Sequence, residues 1–225
     1  MQYPNITAGT FLSRPNRFIA QVEIAGKEET CHVKNTGRCR ELLVPGAAVY
    51  LTASDNPKRK TKYDLVAVEK GSRLINMDSQ APNKVVQEWL EQGGLPGLTK
   101  IQPEFRYDQS RFDFYLEQGD KKSFLEVKGV TLEEDGVVRF PDAPTARGAK
   151  HLHELIRAAE EGYGAYVFLV IQMADVDHFE PNRKTDPDFA QALQEARNKG
   201  VTLLAYDCNV TPGTLEIGKQ VEILL

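Results

Sequence analysis

The chain lacks the features that mark exported and membrane proteins. Three cysteines in 225 residues are few and odd in number, which suits reduced thiols rather than a disulfide framework. The longest apolar run, AYVFLVI at residues 165–171, is too short to span a bilayer. The N-terminal MQYPNITAG has neither the basic start nor the apolar core of a signal peptide. We therefore expect a soluble cytoplasmic protein with no membrane partner.

A zinc-binding pattern is also missing. Cys31, His32 and Cys39 lie close together in the sequence, but their spacing fits no zinc motif and a fourth ligand is lacking. What the chain does have is 41% apolar residues, enough to build the core of one large domain or two modest ones.

The charge is distributed unevenly between the two parts of the chain. Residues 1–82 carry 12 Lys and Arg against 8 Asp and Glu, whereas residues 83–225 carry 16 against 24. Such asymmetry indicates two modules, with the basic one a candidate for binding a polyanion. Ordinary variation of surface charge is the alternative reading of the same numbers.

The N-terminal module, residues 1–82, reads as short strands separated by turns. The strand candidates are SRPNRFIAQVEI, EETCHVK, GAAVYLTA, KYDLVAVE and SRLINM, with one short helical candidate, RCRELL, ended by Pro45-Gly46. Five short strands and one small helix predict a closed barrel of the OB type, with an SH3-like barrel as the alternative.

Basic residues gather in the predicted loops of this barrel. DNPKRKTK at residues 55–62 holds four cations, and two more, Arg38 and Arg40, lie at the end of the turn-like NTGR (residues 35–38) and just after it. Loops of such barrels commonly bind nucleic-acid strands, although a solvated basic loop would look the same. The side chains that we expect to contact nucleic acid are Arg14, Arg17, Lys34, Arg38, Arg40, Lys58, Arg59 and Lys60.

The C-terminal module, residues 83–225, alternates strands and helices. A helix capped by Asn83 is followed by strand candidates EFRYD, RFDFYL, SFLEVKGV and VVRF. A helix from about residue 146 to 161, the strand AYVFLVIQ, a helix over 187–199 and the strand VTLLAYD complete the order. Thr145, Asp186 and Pro187 are suitable helix starts. The order predicts a mixed sheet with helices on its faces, an α/β domain in a chain that is α+β overall.

Two acidic residues stand out because they interrupt apolar strands. Asp113 lies in RFDFYL and Glu126 in FLEVKGV, and the link between these strands contains Gly119-Asp120, suited to a two-residue hairpin turn. That turn would set Asp113 directly opposite Glu126, unless a bulge shifts the register. Opposed carboxylates destabilise a sheet unless a positive charge lies between them. A divalent cation, Mg²⁺ or Mn²⁺, suits two such oxygen ligands.

Lys128 adds a cation to the same face of the strand as Glu126. Successive side chains on one face lie about 7 Å apart, so Lys128 can reach a water or phosphate bound beside the carboxylates. Phosphodiester cleavage uses a metal that activates water and a cation near the developing charge. An exposed hairpin with an ordinary salt bridge from Lys128 is the competing interpretation.

The arrangement resembles the PD-(D/E)xK nuclease superfamily, with Asp113, Glu126 and Lys128 at the motif positions. The proline of the superfamily name is absent, because Phe112 precedes Asp113. The whole chain resembles the sugar fermentation stimulation protein A (SfsA) family, through NTGRCRELLVPGAAVYL (35–51), FLEVKGVTL (124–132) and RFPDAPTARGAKHLHEL (139–155). Cys39 stands where the family resemblance would lead us to expect methionine or another apolar residue.

This resemblance implies an N-terminal OB-like domain joined to a restriction-endonuclease-like domain, and binding to nucleic acid, with DNA expected ahead of RNA. Within the second domain we expect Glu104 to add a carboxylate ligand from the neighbouring strand. Arg147 and His151 share one stripe of the helix that follows Glu-x-Lys, and we expect both to contact nucleic acid. An exposed glutamate and a solvated helix face are the respective alternatives.

Two functions of different classes follow from these patterns. The first is a metal-dependent nuclease that uses Asp113, Glu126 and Lys128. The second is a non-catalytic DNA-binding regulator of sugar metabolism genes that keeps the nuclease fold. The intact set of three charged residues favours the enzyme, since a site that no longer catalyses a reaction is free to lose its charges.

Overall fold

The computed structural model describes residues 1–35, 37–54, 56, 58–108 and 110–225. The N-terminal strands within this part of the chain are β1 (Ile6–Asn16), β2 (Ile19–Ile24), β3 (Lys27–Val33), β4 (Ala48–Ala53), β5 (Tyr63–Lys70) and β6 (Arg73–Asn76). They hydrogen-bond in the order β3-β2-β1-β4-β5-β6, and β3 also pairs in parallel with β5. That last pairing closes strands β1 to β5 into a barrel of the OB type, as predicted.

The barrel differs from the sequence prediction in two places. SRPNRFIAQVEI forms parts of two strands, because the chain turns at Arg17-Phe18 and the Asn16 side chain accepts a hydrogen bond from the Phe18 amide at 2.9 Å. RCRELL forms a single turn and no helix. Cys39 within this segment has a φ of 44°, which is not helical. So short a segment also forms too few hydrogen bonds to offset the unfavourable free energy of helix nucleation.

The remaining elements follow the barrel in chain order. They are α1 (Ala81–Glu91), β7 (Lys100–Tyr107), β8 (Ser110–Gln118), β9 (Lys121–Val130), β10 (Leu132–Glu134), β11 (Val137–Phe140), α2 (Ala146–Glu160), β12 (Gly164–Ile171), β13 (His178–Pro181), α3 (Pro187–Asn198), β14 (Thr202–Thr211), β15 (Thr214–Gln220) and β16 (Glu222–Ile223). Helix α1 begins at Ala81, so the expected domain boundary after residue 82 falls within its first turn.

The large sheet has the order β15-β14-β12-β9-β8-β7. Strands β9, β12 and β14 run parallel, while β7, β8 and β15 are antiparallel to their neighbours. Helix α1 packs on one face against an apolar cluster that includes Leu125 and Phe168. Leu152 of α2 and Leu193 of α3 pack into the core on the opposite face. The predicted mixed α/β sheet with helices on its faces is confirmed.

Helices α2 and α3 begin at the cap residues predicted from the sequence, Thr145 and Asp186. The Thr145 hydroxyl accepts a hydrogen bond from the Gly148 amide at 3.0 Å, and the Asp186 carboxylate accepts one from the Phe189 amide at 2.9 Å. These side chains satisfy amides that a helix cannot pair internally. The cap predicted at Asn83 is wrong, because α1 starts two residues earlier and Asn83 lies inside it.

A second sheet of four short strands, in the order β10-β11-β13-β16, lies beside the large one. Its β11 is the predicted strand VVRF, which therefore belongs to this small sheet rather than to the large one. The barrel contacts it through Glu133, whose carboxylate pairs with Lys70 and Arg73 of the barrel at 2.8 Å each. Among the helices that the structure describes, none is long and apolar enough to cross a membrane.

Candidate functional site

The hairpin of β8 and β9 carries the two acidic residues that the sequence singled out. Gln118 pairs with Lys121 across a two-residue turn, and the register continues to Phe114 opposite Leu125. The predicted turn at Gly119-Asp120 is therefore confirmed. The backbone ladder stops one step before Asp113 and Glu126, so their predicted direct backbone pairing is not formed.

Asp113 is held by its side chain where the ladder ends. Its Oδ2 accepts a hydrogen bond from the Val127 amide at 2.7 Å, and its Oδ1 accepts one from the Asn83 side chain, also at 2.7 Å. Helix α1 thus supplies one of the two partners. Burial raises the pKa of Asp113, and the nearby Glu126 carboxylate raises it further. The two carboxylates are consequently close enough to repel each other.

Glu126 is buried, with only 3% of its surface exposed. Its two carboxylate oxygens differ in their hydrogen bonds. Oε1 accepts a hydrogen bond from Lys128 Nζ at 2.6 Å and contacts His151 Nδ1. Oε2 is fully buried and has no hydrogen-bond partner among the described residues. Burial alone would raise the pKa of Glu126, but the hydrogen bonds and charges of His151 and Lys128 outweigh it and lower that pKa.

His151 links α2 to this carboxylate. It is 5% exposed, and the Arg147 guanidinium Nε lies 3.4 Å from its Nε2. If Nε2 accepts from Arg147, then Nδ1 carries the proton and donates to Glu126. Arg147 itself is exposed at the start of α2. The predicted contact of His151 with nucleic acid does not suit a side chain buried behind Glu126.

Glu104 lies outside this group. Its φ is 54°, a left-handed conformation that interrupts β7, and its side chain is 69% exposed and pairs with Arg111 at 3.3 Å. Within the described ranges, no three His, Cys, Asp or Glu residues are arranged to hold a metal ion. The site therefore offers two carboxylates, Asp113 and Glu126, and the role of Glu104 as a third ligand stays a prediction.

The predicted nucleic-acid contacts on the barrel divide into two groups. Arg14 donates to the backbone carbonyls of Arg17, Asn35, Gly37 and Arg38 at 2.7 to 3.0 Å. Two more cations, Lys34 and Arg59, pair with the buried Asp64 and help to hold its pKa at about 2 despite the opposing effect of burial. These three side chains serve the barrel itself. The exposed ones are Arg17, Arg38, Arg40, Lys58 and Lys60.

Three of the exposed arginines lie together. Arg17, Arg38 and Arg40 line one cleft of about 310 Å³ on the barrel. Asp55 and Pro57 of the predicted basic loop, and Thr36 of NTGR, lie outside the described residues.

A large groove of about 940 Å³ lies elsewhere, between α2 and α3. Lys150 and Glu154 line it, while Asp113, Glu126 and Lys128 do not. Groove size therefore does not mark the carboxylate site. The carboxylate site is distinguished instead by its buried charges and by an oxygen that has no partner among the described residues.

Asn83 is the site residue that sequence reasoning misassigned. It was expected to cap α1, but its amide holds Asp113 from the third position of that helix. Pro82 was the available signal, because proline is favoured in the first turn of a helix and so indicates a start before Asn83.

The chain matches two family descriptions along most of its length. Residues 12–77 match the SfsA N-terminal OB domain, and residues 80–214 match the sugar fermentation stimulation protein RE domain. Curated relatives named "Sugar fermentation stimulation protein homolog" are 59% identical in Ruminiclostridium cellulolyticum and 60% identical in Desulfitobacterium hafniense. Each comparison covers 100% of this chain and at least 99% of the relative.

A solved structure is similar over the same length. It is SfsA from Pyrococcus furiosus in complex with Ca²⁺, which is 29% identical and superposes with a TM-score of 0.90, covering 100% of this chain and 98% of the other. The family resemblance noted in the sequence is confirmed, and the chain belongs to the sugar fermentation stimulation protein (SfsA) family.

Proposed function

We propose that this protein binds nucleic acid, DNA in preference to RNA, and cleaves its phosphodiester bonds with the help of a divalent metal ion. The observation that carries the proposal is the buried Glu126 carboxylate. One of its oxygens has no partner among the described residues, while Lys128 Nζ lies 2.6 Å from the other. Asp113 is close enough for its pKa to be raised by Glu126.

The oxygen atoms present fit a hard divalent cation. Glu126 Oε2 is unpartnered among the described residues, and each Asp113 oxygen accepts one described hydrogen bond and keeps a second acceptor site. Mg²⁺ is commonly held by one or two carboxylates together with water and substrate phosphate, so a third protein ligand is not required. The Pyrococcus relative was solved with Ca²⁺, which also prefers oxygen ligands. We propose Mg²⁺ or Mn²⁺ here, held by Asp113 and Glu126.

The side chains around these carboxylates have distinct roles in the proposal. A bound divalent cation would neutralise phosphate charge and lower the pKa of a water molecule. Lys128 stabilises the negative charge that develops on the phosphate oxygens. His151 donates from Nδ1 to Glu126 Oε1 and fixes the direction of its free oxygen. Asn83 and the Val127 amide hold Asp113 in the same way.

The barrel, within a proposed domain of residues 1–82, supplies the surface for the nucleic-acid chain. Arg17, Arg38 and Arg40 line one cleft, and no described ion pair engages them. Exposed cations of this kind bind phosphates in a salt-dependent manner. Exposed Arg147, at the start of α2 in the proposed domain of residues 83–225, brings a further cation beside His151.

The test is cleavage of end-labelled single- and double-stranded DNA and RNA with Mg²⁺, with Mn²⁺ or with a chelator. Lys128→Ala should abolish metal-dependent cleavage but keep metal binding, measured by calorimetry. Glu117→Gln is the matched control, since Glu117 lies on β8 with Asp113 but pairs with Lys100 away from the site. Cleavage by Lys128→Ala at the wild-type rate would remove Lys128 from the mechanism. No cleavage by the wild type, with nucleic acid still bound, would make the protein a binding protein.

A further inference from the structure

The groove of about 940 Å³ between α2 and α3 has no role in the proposed function. Buried contacts at the start of the two helices set their spacing. The Thr145 amide donates to Asp186 Oδ2 at 2.7 Å, and a Cβ atom at Gly148 would lie only 3.2 Å from the ring of the buried Phe189. The groove is therefore preformed, and its volume is that of a large ligand site.

Glu154 lines this groove but is itself only 8% exposed. Its Oε2 is fully buried and has no hydrogen-bond partner in the described part of the chain. Its Oε1 lies 3.7 Å from Lys150 Nζ, which is too long for a hydrogen bond. A buried carboxylate with so little compensation is unfavourable and requires an explanation. Glu126 shows the same combination of burial and an unpartnered oxygen.

The other charged side chains of the lining are mainly acidic. Two of them are already engaged, because Asp108 pairs with Arg157 at 2.9 Å and Asp186 accepts hydrogen bonds from the amides of Thr145 and Phe189. Asp188 and Glu195 form no ion pair with any described residue. The basic side chains that remain in the lining are Lys150 and His153. The groove therefore keeps an excess of negative charge.

A guanidinium group has the properties that this lining calls for. It is always positively charged, and its planar set of N–H donors can bind both oxygens of one carboxylate. The Lys150 side chain is 56% exposed, and exposed ion pairs contribute little stability, so a ligand can displace it from Glu154 at small cost. A nucleic-acid chain is disfavoured by the excess of negative charge.

The rest of the groove suits a length of polypeptide rather than a lone side chain. Ala146 and Ala149 of α2 and Ala192 of α3 line it with small apolar groups, which leave room for a chain to lie between the helices. Arginine with apolar surroundings is typical of the residues that contribute most to protein interfaces.

We propose that this groove docks an arginine-bearing segment of a protein partner, with one guanidinium group bound to Glu154. Asp188 and Glu195 attract further basic residues of the segment, and the alanines contact its apolar atoms. None of these residues belongs to the carboxylate site or to the arginine cleft of the barrel, so the inference goes beyond the proposed function.

The experiment uses a short fluorescein-labelled, alanine-rich peptide that contains three arginines. Matched peptides carry lysine, or citrulline, which is the neutral isostere of arginine. Binding to the full-length protein is followed by fluorescence anisotropy at physiological ionic strength, with a chelator and without nucleic acid, so that the result does not depend on cleavage.

The arginine peptide should bind about tenfold or more tightly than the citrulline peptide, the scale of hydrogen bonds to a charged group. It should also bind more tightly than the lysine peptide. No binding of the arginine peptide, or equal affinity for the citrulline peptide, would overturn the proposal. Equal affinity for the lysine peptide would overturn the assignment of a guanidinium group. N-acetyl-arginine amide that bound as tightly as the peptide would replace the protein segment by a small guanidinium compound.

Two matched pairs of variants separate the groove from general attraction of charge. Glu154→Gln should weaken binding of the arginine peptide about tenfold, whereas Glu160→Gln, which removes the same charge from a residue of α2 that pairs with Lys199 outside the groove, should change it less than about twofold.

Gln191→Arg places a cation in the groove at an exposed position of α3 and should also weaken binding. Gln194→Arg, on the same helix but outside the lining, should not. Thermal unfolding confirms that each variant is folded. Equal effects within both pairs would show that the peptide is held by net charge and not by this groove.

Discussion

Glu126 and Glu133 lie seven residues apart, on β9 and β10, and each is 3% exposed. Their surroundings differ in one respect. Glu133 has both oxygens bound, with Lys70 on Oε2 and with Arg73 and the Gly136 amide on Oε1. Glu126 receives both of its partners on Oε1, and none of the described residues binds Oε2.

The difference separates a structural carboxylate from a candidate ligand. A buried ion pair with both oxygens satisfied holds two parts of a protein together, and losing one partner is costly. Lys128 and His151 stabilise the charge of Glu126 through Oε1, so Oε2, beside a second carboxylate, is left free to bind an added cation. Burial and a lowered pKa are shared by Glu126 and Glu133, so neither property alone identifies the functional residue.

The largest expected effect is on cleavage, through Glu126→Gln. This substitution keeps the shape of the side chain but removes the charge that we assign to metal binding. Cleavage should fall by about 10³-fold or more, equivalent to about 4 kcal/mol of transition-state stabilisation. Metal-dependent cleavage rates on the preferred substrate measure it.

Glu133→Gln is the matched substitution for that assay. It should keep cleavage within about threefold of the wild type, since we assign Glu133 to the junction between barrel and sheet. Equal losses in both variants would show that the two glutamates do not differ in function.

The loss of stability should be larger for Glu133→Gln than for Glu126→Gln, because Glu133 accepts three hydrogen bonds on its two oxygens whereas Glu126 accepts two on one oxygen. Glu133→Gln leaves Lys70 and Arg73 without their partner charge, and breaking a buried pair costs about 3 kcal/mol. The pKa of Glu133 is lowered, so its contribution is present above its unfolded pKa and is lost as the pH falls. We expect a lower Tm for this variant at pH 7 and convergence with the wild type in acid. A larger loss for Glu126→Gln, measured in chelator, would contradict the comparison.

Substitution of His151 should have an effect of intermediate size on metal affinity and cleavage. His151→Gln removes the Nδ1 contact with Glu126 but leaves the two carboxylates in place. Loss of a group that orients a metal ligand typically costs about 10- to 100-fold in metal affinity or activity. Calorimetric titration with Mn²⁺ measures the affinity separately from cleavage. His153→Gln is the control, because His153 is exposed on the same helix.

Much of the fold and part of the site could be predicted from the sequence, for identifiable reasons. The Gly119-Asp120 turn and the caps at Thr145 and Asp186 depend on local chemistry, which a sequence displays directly. The hairpin register then brought Asp113 and Glu126 near each other. Local reasoning also explains the error at RCRELL, whose composition favours a helix although its surroundings do not.

Contacts between elements that are far apart along the chain could not be predicted from the sequence. The hydrogen bond from Asn83 to Asp113 depends on how α1 lies on the sheet, and the hydrogen bond from Gln172 to Asn76 depends on docking of the barrel. Glu104 was expected to reach the site from the neighbouring strand, but the positive φ at that residue interrupts β7. Periodicity cannot anticipate such a local interruption.

The smallest effect concerns Asp113, which differs from Glu126 and Glu133 because its pKa is raised, by burial first and by Glu126 second. A carboxyl group of this kind favours folding while protonated, and that contribution is lost as the pH rises. Asp113→Asn should therefore stabilise the metal-free protein at pH 7 by up to about 1 kcal/mol, the scale of opposed like charges on neighbouring strands, with the gain shrinking in acid. Thermal unfolding in chelator measures it, with Glu104→Gln as an exposed control that should leave Tm unchanged. Lower stability of Asp113→Asn at pH 7 would mean that the bonds from Asn83 and Val127 outweigh the repulsion by Glu126.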